Sequence, residues 1–228
     1  MVQATRETVY AIIPAFGEER FIGTVVRAVL EHLNHVVVVD DCSPDQTSQV
    51  AREAGAEVIR HRENLGKGAA IKTGLRKAAD SFGLFLFMDG DGQHDPAEIP
   101  KFLRKATETQ AHLIIGNRMR KIANMPPIRR WTNKFMSWQI SKLCRQELPD
   151  SQCGYRMARY ELLPLLRDCD DGFAFETECL LLTARHGFQI EFVPVRTIYR
   201  DERSKIKPMR DTWRYISVLA KYRSHCGH

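Results

Sequence analysis

No stretch of this 228-residue chain approaches the ~20 consecutive apolar residues that a membrane-spanning helix requires. The opening, MVQATRETVYAIIP, also lacks the basic start and long apolar run of a secretory leader. The expectation is therefore a cytoplasmic chain that does not cross a bilayer by itself. Its six cysteines (Cys42, Cys144, Cys153, Cys169, Cys179, Cys226) include no CxxC pair and no histidine at zinc spacing, so they read as reduced thiols rather than a disulfide or zinc framework. Internal repeats, low-complexity tracts and linkers are absent as well, which at this length leaves one α/β unit with a substantial core.

Acid is missing from one long stretch. Thr109 to Gln146 contains no Asp or Glu but eight basic residues, and Arg196 to Arg223 carries nine more against three acids. Half of the 34 Lys and Arg residues lie in these two segments, so the net charge of +6 hides an acidic remainder. Anionic partners fit such segments: nucleotide diphosphates, lipid phosphates, a membrane surface or nucleic acid. A merely solvated basic face is the plain alternative.

What is present is an alternation of short apolar runs with helical patterns, the signature of a mostly parallel sheet covered on both sides. Strands are expected at Val9 to Pro14, Val36 to Val39, Glu57 to Arg60, Leu84 to Met88, His112 to Gly116, Tyr155 to Ala158 and Phe188 to Val195. Helices are expected at Glu19 to Leu33, Gln46 to Ala54, Gly68 to Ala79, Ala97 to Thr107, Ile128 to Arg145, Glu176 to Arg185 and Asp211 to Tyr222.

The chemistry gathers where strands end. LFLFMDGDGQHDP stops an apolar run at two carboxylates, Asp89 and Asp91, on a turn poor in side chains. Carboxylates this close repel unless a cation lies between them, and with the amide oxygen of Gln93 they form a hard-oxygen set suited to Mg²⁺ or Mn²⁺. An Asp/Gly-rich surface turn is the competing reading. Pro14 to Glu18 and Asp40/Asp41 follow the first two strands, and parallel strands bring all three ends to one edge, where open α/β sheets bind ligands. Asp41 is the better candidate of its pair for a ribose hydroxyl or a base N–H; an Asx turn or helix cap would also account for it.

Asn64 to Gly68 sets Lys67 between glycines just before a helix, where its ammonium and the helix start are placed to meet a phosphate. It is not a P-loop, because His61 replaces the first glycine and Gly68 the Ser or Thr after the lysine. His94 adjoins the acidic turn and Cys153 stands near a further acid, Asp150; a turn histidine and a packing thiol are the plainer readings of these two.

Eight segments together resemble the GT-A glycosyltransferases of family 2, and within them the polyprenyl-phosphate sugar synthases such as dolichol-phosphate mannose and glucose synthases. They are IPAFGEE (Ile13 to Glu19), VVDDCSPDQT (Val38 to Thr47), NLGKGAA (Asn64 to Ala70), MDGDGQHDP (Met88 to Pro96), GNR (Gly116 to Arg118), DSQCGYR (Asp150 to Arg156), FAFETE (Phe173 to Glu178) and Ser204-Lys205. One departure stands out: Gly17 occupies the place where the family usually has Asn.

The resemblance implies a single GT-A domain over residues 1–228, with 1–118 serving the nucleotide sugar and metal and 119–228 the acceptor. Nucleotide contacts are expected from Pro14, Ala15, Phe16, Glu18, Asp41, Lys67, Asp89 and Gly90, and metal contacts from Asp89, Asp91 and Gln93. Arg118, Arg129, Asn133 and Arg203 are expected at an acceptor phosphate, and Asp89, Asp91, Asp150, Arg118 and Lys205 in catalysis. The implied donor is a nucleoside-diphosphate sugar, with UDP-glucose and GDP-mannose both open, and the implied acceptor a polyprenyl phosphate.

Chemistry supports that acceptor, since a phosphate monoester with a second pKa of ~6 is already anionic at pH 7 and needs cations rather than a base. Inversion by in-line attack is expected. Trp131, Phe135, Trp138 and Ile140, interleaved with Arg129, Arg130, Lys134 and Lys142, would then lie at the cytoplasmic face of a membrane; a core-packed helix is the competing reading. An alcohol or saccharide acceptor would instead require Glu176 or Glu178 as base. A nucleotidyltransferase lacks its glycine-rich opening loop here, and a nucleic-acid-binding protein leaves the acidic strand ends unexplained, so no nucleic-acid partner is expected.

Overall fold

Seven short runs, most of them apolar and each too short for a helix, meet in one sheet. The computed structural model describes residues 8–78, 81–120, 127–172, 174–198, 217–218 and 221–222, with the backbone alone at 120 and 127–129. Val9–Ala15 (β1), His35–Asp40 (β2), Glu57–Arg60 (β3), Leu84–Phe87 (β4), Leu113–Asn117 (β5), Arg156–Arg159 (β6) and Ile190–Pro194 (β7) are ordered β3-β2-β1-β4-β6-β5-β7. All pairings are parallel except those of β6 with β4 and β5. Every residue of β1, β4 and β5 is buried, as expected of strands covered by helices on both faces.

The covering helices are Ile22–Leu30 (α1), Thr47–Glu53 (α2), Lys67–Ala78 (α3), Ile99–Glu108 (α4), Pro127–Cys144 (α5), Leu163–Arg167 (α6) and Phe175–Arg185 (α7). Their apolar stripes explain the docking. In α1, Ile22, Val25, Val26 and Val29 face the sheet, each buried side chain contributing about 1.5–3 kcal/mol. In α4 the stripe is Ile99, Phe102 and Ala106.

The position of β6 shapes the site. After β5 the chain runs through α5 and returns at the edge where β4 and β5 end, so the next strand enters between them and runs backwards. Arg156 is paired with Phe87 of β4 and Ile115 of β5. The preceding segment, Asp150 to Tyr155, is thereby placed beside the strand ends that carry Asp89 and Arg118.

The elements expected as far as residue 195 are present, with shifted ends. The 3₁₀ turn Tyr160–Leu162 and the short α6 were not anticipated. Nor was the insertion of β6, because its sequence, RMAR, places two arginines where an interior strand usually has apolar residues. Backbone carbonyls take up both: Arg156 donates to Ser151, Cys153 and Glu176, and Arg159 to Ala106, Thr109 and Ala111. The helix expected over Asp211 to Tyr222 lies largely outside the described residues; residues 217–218 and 221–222 are helical.

Candidate active site

The first strand end forms a turn that the second one holds. Gly17 has φ +66°, in the left-handed region that Gly and Asn adopt with least strain, which accounts for glycine at a position where asparagine also serves. Its N–H donates to Ser43 Oγ, that of Glu18 to Thr47 Oγ1, and that of Asp41 to the Ala15 carbonyl. Pro14 and Ala15 are buried at the end of β1, and Phe16 projects outward.

The two acids after β2 have separate tasks. Asp40 is fully buried and accepts from the Ser43 N–H and the Ser48 hydroxyl, with Arg60 3.7 Å away. It secures the turn into α2. Asp41 instead fastens the loop before α3, accepting from Leu65 N–H at 2.8 Å and Gly66 N–H at 2.7 Å, with His61 Nδ1 at 2.7 Å. His61 Nε2 is 3.0 Å from Thr73 Oγ1, so this half-buried histidine bridges the carboxylate to α3.

At the centre Lys67 meets two carboxylates. Its Nζ is 2.5 Å from Asp89 Oδ1 and 2.7 Å from Glu176 Oε1. Burial disfavours the ammonium, but the two carboxylates outweigh it and raise the Lys67 pKa. For Asp89, burial likewise opposes the charged form, yet Lys67 foremost and then His94 hold its pKa down at about 2. Asp91 goes the other way, raised by burial and by the charge of Asp89.

Close packing around this centre depends on Gly154, where a Cβ would lie 2.8 Å from Lys67 Nζ and 2.9 Å from Asp89 Oδ2. His94 is buried, stacked on Tyr155 at 5.1 Å, with its Nδ1 3.3 Å from the donating Asp89 N–H. Burial lowers its pKa, and its Nδ1 accepts from the backbone of the acidic turn.

The acidic pair suits a hard divalent cation. Asp89 is held ionised, Asp91 is penalised by its neighbour's charge, and no ion pair among the described residues neutralises Asp91. Gln93 donates its N–H to Asp91 Oδ1 at 2.9 Å. Among the described residues no three His, Cys, Asp or Glu side chains converge as a cage. An ion here would rely on water and substrate oxygens, the usual coordination of Mg²⁺ beside phosphates.

Close by, Asp150 is fully buried and gathers Arg118 and Asn133. Arg118 donates Nε to Oδ2 at 2.8 Å and Nη2 to Oδ1 at 2.9 Å, its N–H reaches Oδ2 at 3.1 Å, and Asn133 Nδ2 reaches Oδ1 at 3.0 Å. Burial opposes the charged form of Asp150, but Arg118 and these hydrogen bonds prevail and lower its pKa. Asn133 comes from α5, whose two faces differ sharply. Asn133 is 7% exposed and Ile140 0%, whereas Trp131, Phe135 and Trp138 are 74%, 57% and 53% exposed. Lys142 Nζ lies 3.9 Å above the Trp138 ring. Ile140, expected among the interfacial residues, packs in the core instead.

The structure thus brings together Lys67, Asp89, Asp91 and Glu176 on one side and Arg118, Asn133 and Asp150 on the other. Gly90 is buried against β1 and α1, where a Cβ would lie 3.1 Å from Ile22 Cδ1. Glu178 points elsewhere, accepting from Asp170 N–H at 2.6 Å and meeting Lys221 Nζ at 3.0 Å. Arg203 and Lys205 lie outside the described residues, as does the side chain of Arg129. Sequence reasoning missed the bridging role of His61, the space left by Gly154, and the tie that Arg156 makes from the Ser151 and Cys153 carbonyls to that of Glu176 at the start of α7. Only the glycines around Lys67 and the GY after Cys153 hinted at close approach.

The family model of glycosyl transferase family 2 matches residues 10–166. A UDP-N-acetylglucosamine–dolichyl-phosphate N-acetylglucosaminyltransferase of Methanococcus voltae is 29% identical over 85% of this chain and 86% of its own. An undecaprenyl-phosphate mannosyltransferase of Micrococcus luteus is 32% identical over 85% of this chain and 84% of its own. Among solved structures, the glucosyl-3-phosphoglycerate synthase of Mycobacterium tuberculosis in complex with Mn²⁺ and UDP-glucose superposes with a TM-score of 0.70 at 22% identity, covering 97% of this chain and 79% of that one. Mannosyl-3-phosphoglycerate synthase of Rubrobacter xylanophilus gives a TM-score of 0.70 at 17% identity, covering 96% and 73%. At such identities the structural likeness shows the GT-A fold alone, whereas the family match spans over two thirds of the chain. The chain belongs to glycosyltransferase family 2.

Proposed function

We propose that this glycosyltransferase moves a hexose from a nucleoside-diphosphate sugar to a polyprenyl phosphate, with inversion and with the help of Mg²⁺ or Mn²⁺, while resting on the cytoplasmic face of a membrane. The observation that carries this reading is the two-faced helix α5, which turns Asn133 inward to Asp150 and Trp131, Phe135 and Trp138 outward. Indole and phenyl rings among cations suit the interface of an anionic leaflet. A polyprenyl tail cannot leave the bilayer while its phosphate enters the site, so one element serving both places is what such an acceptor needs. The lipid-phosphate acceptors in the names of the two relatives support it.

In this reading residues 1–118 serve the donor and 119–228 the acceptor. The turn of Pro14 to Glu18 and the loop fastened by Asp41 would frame the nucleotide. Asp89 and Asp91, with Gln93 beside them, would hold the divalent ion, which when bound neutralises charge developing on the leaving diphosphate. Arg118, kept in one orientation by both oxygens of Asp150, would meet the acceptor phosphate together with Asn133.

That phosphate is largely dianionic above a second pKa of ~6 and attacks without surrendering a proton. An alcohol acceptor would need a general base, and the two candidates are occupied: Glu176 by Lys67, Glu178 by Asp170 and Lys221.

The test is transfer of radiolabelled sugar from UDP-glucose, GDP-mannose and UDP-N-acetylglucosamine to polyprenyl phosphate and, separately, to the matching polyprenol, with Mn²⁺. The expected product is an acid-labile glycolipid formed only from the phosphate. Transfer to the alcohol, or to 3-phosphoglycerate in preference to either lipid, would overturn the reading.

A further inference from the structure

Asp89 is already engaged. The carboxylate that the proposed metal requires has an ammonium 2.5 Å away, and that ammonium has a second partner, Glu176, at 2.7 Å. The arrangement is built rather than incidental. Lys67 is the first residue of α3, and the loop before it is fastened by Asp41 through the Leu65 and Gly66 N–H groups. Gly154 leaves the space that Lys67 and Asp89 share. Glu176 is buried at the start of α7, and its carbonyl accepts from Arg156 Nη1 at 2.6 Å.

We propose that Lys67 is a resident counter-ion that excludes a divalent cation from Asp89 until a nucleoside diphosphate is bound, and that Glu176 receives the ammonium when it yields. A cation at about 2.1 Å from a carboxylate oxygen of Asp89 would stand on the order of 5 Å from the ammonium, and two like charges so close in a partly buried site oppose each other strongly. The diphosphate reverses the balance, because its negative oxygens attract both cations. Glu176 keeps Lys67 paired in either position, so the exchange leaves no buried ammonium unsatisfied. Metal and donor would then enter together, and the donor-free enzyme would hold its acidic turn without metal.

The inference rests on the metal reading proposed above, and one titration separates the two. Mn²⁺ binding to the full chain is followed by the electron paramagnetic resonance of the free ion, without nucleotide and with saturating UDP or GDP, whichever raises the Tm. Without nucleotide, Lys67→Met is expected to bind Mn²⁺ at least tenfold more tightly than the wild type. The double variant Lys67→Met/Glu176→Gln should do the same, and it removes the unpaired Glu176 carboxylate that destabilises the single variant. With nucleotide, the advantage should shrink to within about threefold. Glu176→Gln alone leaves Lys67 wholly to Asp89, so it should weaken Mn²⁺ binding in the presence of nucleotide by several-fold; a merely structural role would move the Lys67 and Glu176 variants in the same direction. Equal Mn²⁺ affinity of the wild type and both Lys67 variants without nucleotide overturns the counter-ion role. Absence of Mn²⁺ binding by any of them with nucleotide overturns the metal reading itself.

Discussion

The guanidinium of Arg118 meets the carboxylate of Asp150 side-on, Nε to Oδ2 at 2.8 Å and Nη2 to Oδ1 at 2.9 Å, across 32 residues of sequence. Asp150 is fully buried and also takes Asn133 Nδ2, so it is the piece that aims both proposed acceptor groups. Asp150→Asn is expected to cost about 3 kcal/mol, the lower range for breaking a buried pair since Arg118 retains some solvent contact. In a chain of this size that is about 6–12 °C in Tm. Sugar transfer should fall mainly through a higher KM for the lipid phosphate, with the KM for the nucleotide sugar unchanged. Equal loss on both substrates would show that Asp150 does not act through the acceptor side.

The same residue sets an acid-side dependence of stability. Its folded pKa is lowered, so its contribution is complete above the unfolded carboxylate value of ~3.9 and disappears as pH falls through the folded one. Urea midpoints of the wild type and Asp150→Asn should therefore differ fully above the unfolded value of ~3.9 and draw together only as pH falls through the lower, folded one. A difference that persists unchanged into acid would place its origin elsewhere.

Gly154→Ala adds a single carbon where Lys67 and Asp89 already meet, 2.8 and 2.9 Å from their polar atoms. Overpacking of this kind costs about 1–3 kcal/mol. A larger effect is expected on turnover, a drop of about 10²-fold, because a small misplacement of positioning groups is amplified in rate. Steady-state kinetics beside a thermal melt would separate the two.

Replacing Trp131, Phe135 and Trp138 with alanine touches side chains that are mostly outside the packed interior. Stability should change by no more than about 0.5 kcal/mol per site, whereas cosedimentation with anionic vesicles should be largely lost. Wild-type binding should weaken as salt rises, through the cations of the same helix. Unaltered vesicle binding by the triple variant would remove α5 from the interface.

Chelation of divalent ions should abolish transfer, with Mn²⁺ or Mg²⁺ restoring it. Asp89→Ala and Asp91→Ala should each lower turnover by about 10²-fold or more, the scale of losing a group that stabilises developing charge. Transfer that continues in excess chelator would mean that protein cations alone neutralise the leaving group.

Much of this was legible along the chain because the relevant signals are local. A buried parallel strand is a short apolar run, and its end is marked by the acid or glycine that follows it, so β1, β2 and β4 and the groups at their ends were readable together. The family resemblance followed from the same strand-end motifs. Local pattern misjudged α5, where Ile140 belongs to the core; one apolar stripe looks like another until the neighbouring elements are in place. It also left Glu176 and Glu178 equivalent as bases, though two residues of spacing on a helix turn them to different partners.

What the sequence determined alone was the α/β alternation, the edge at which chemistry gathers and the types of residue gathered there, because each depends on periodicity and composition over a few residues. Only the tertiary structure decided which charges meet: Lys67 with Asp89 and Glu176, Arg118 with Asp150, Asp41 with the loop before α3. These partners lie from 22 to 109 residues apart along the chain. Parallel β1, β2 and β4 bring Asp41, Lys67 and Asp89 to one edge, and β6, entering backwards between β4 and β5, sets Asp150 beside Arg118; no local window contains either arrangement.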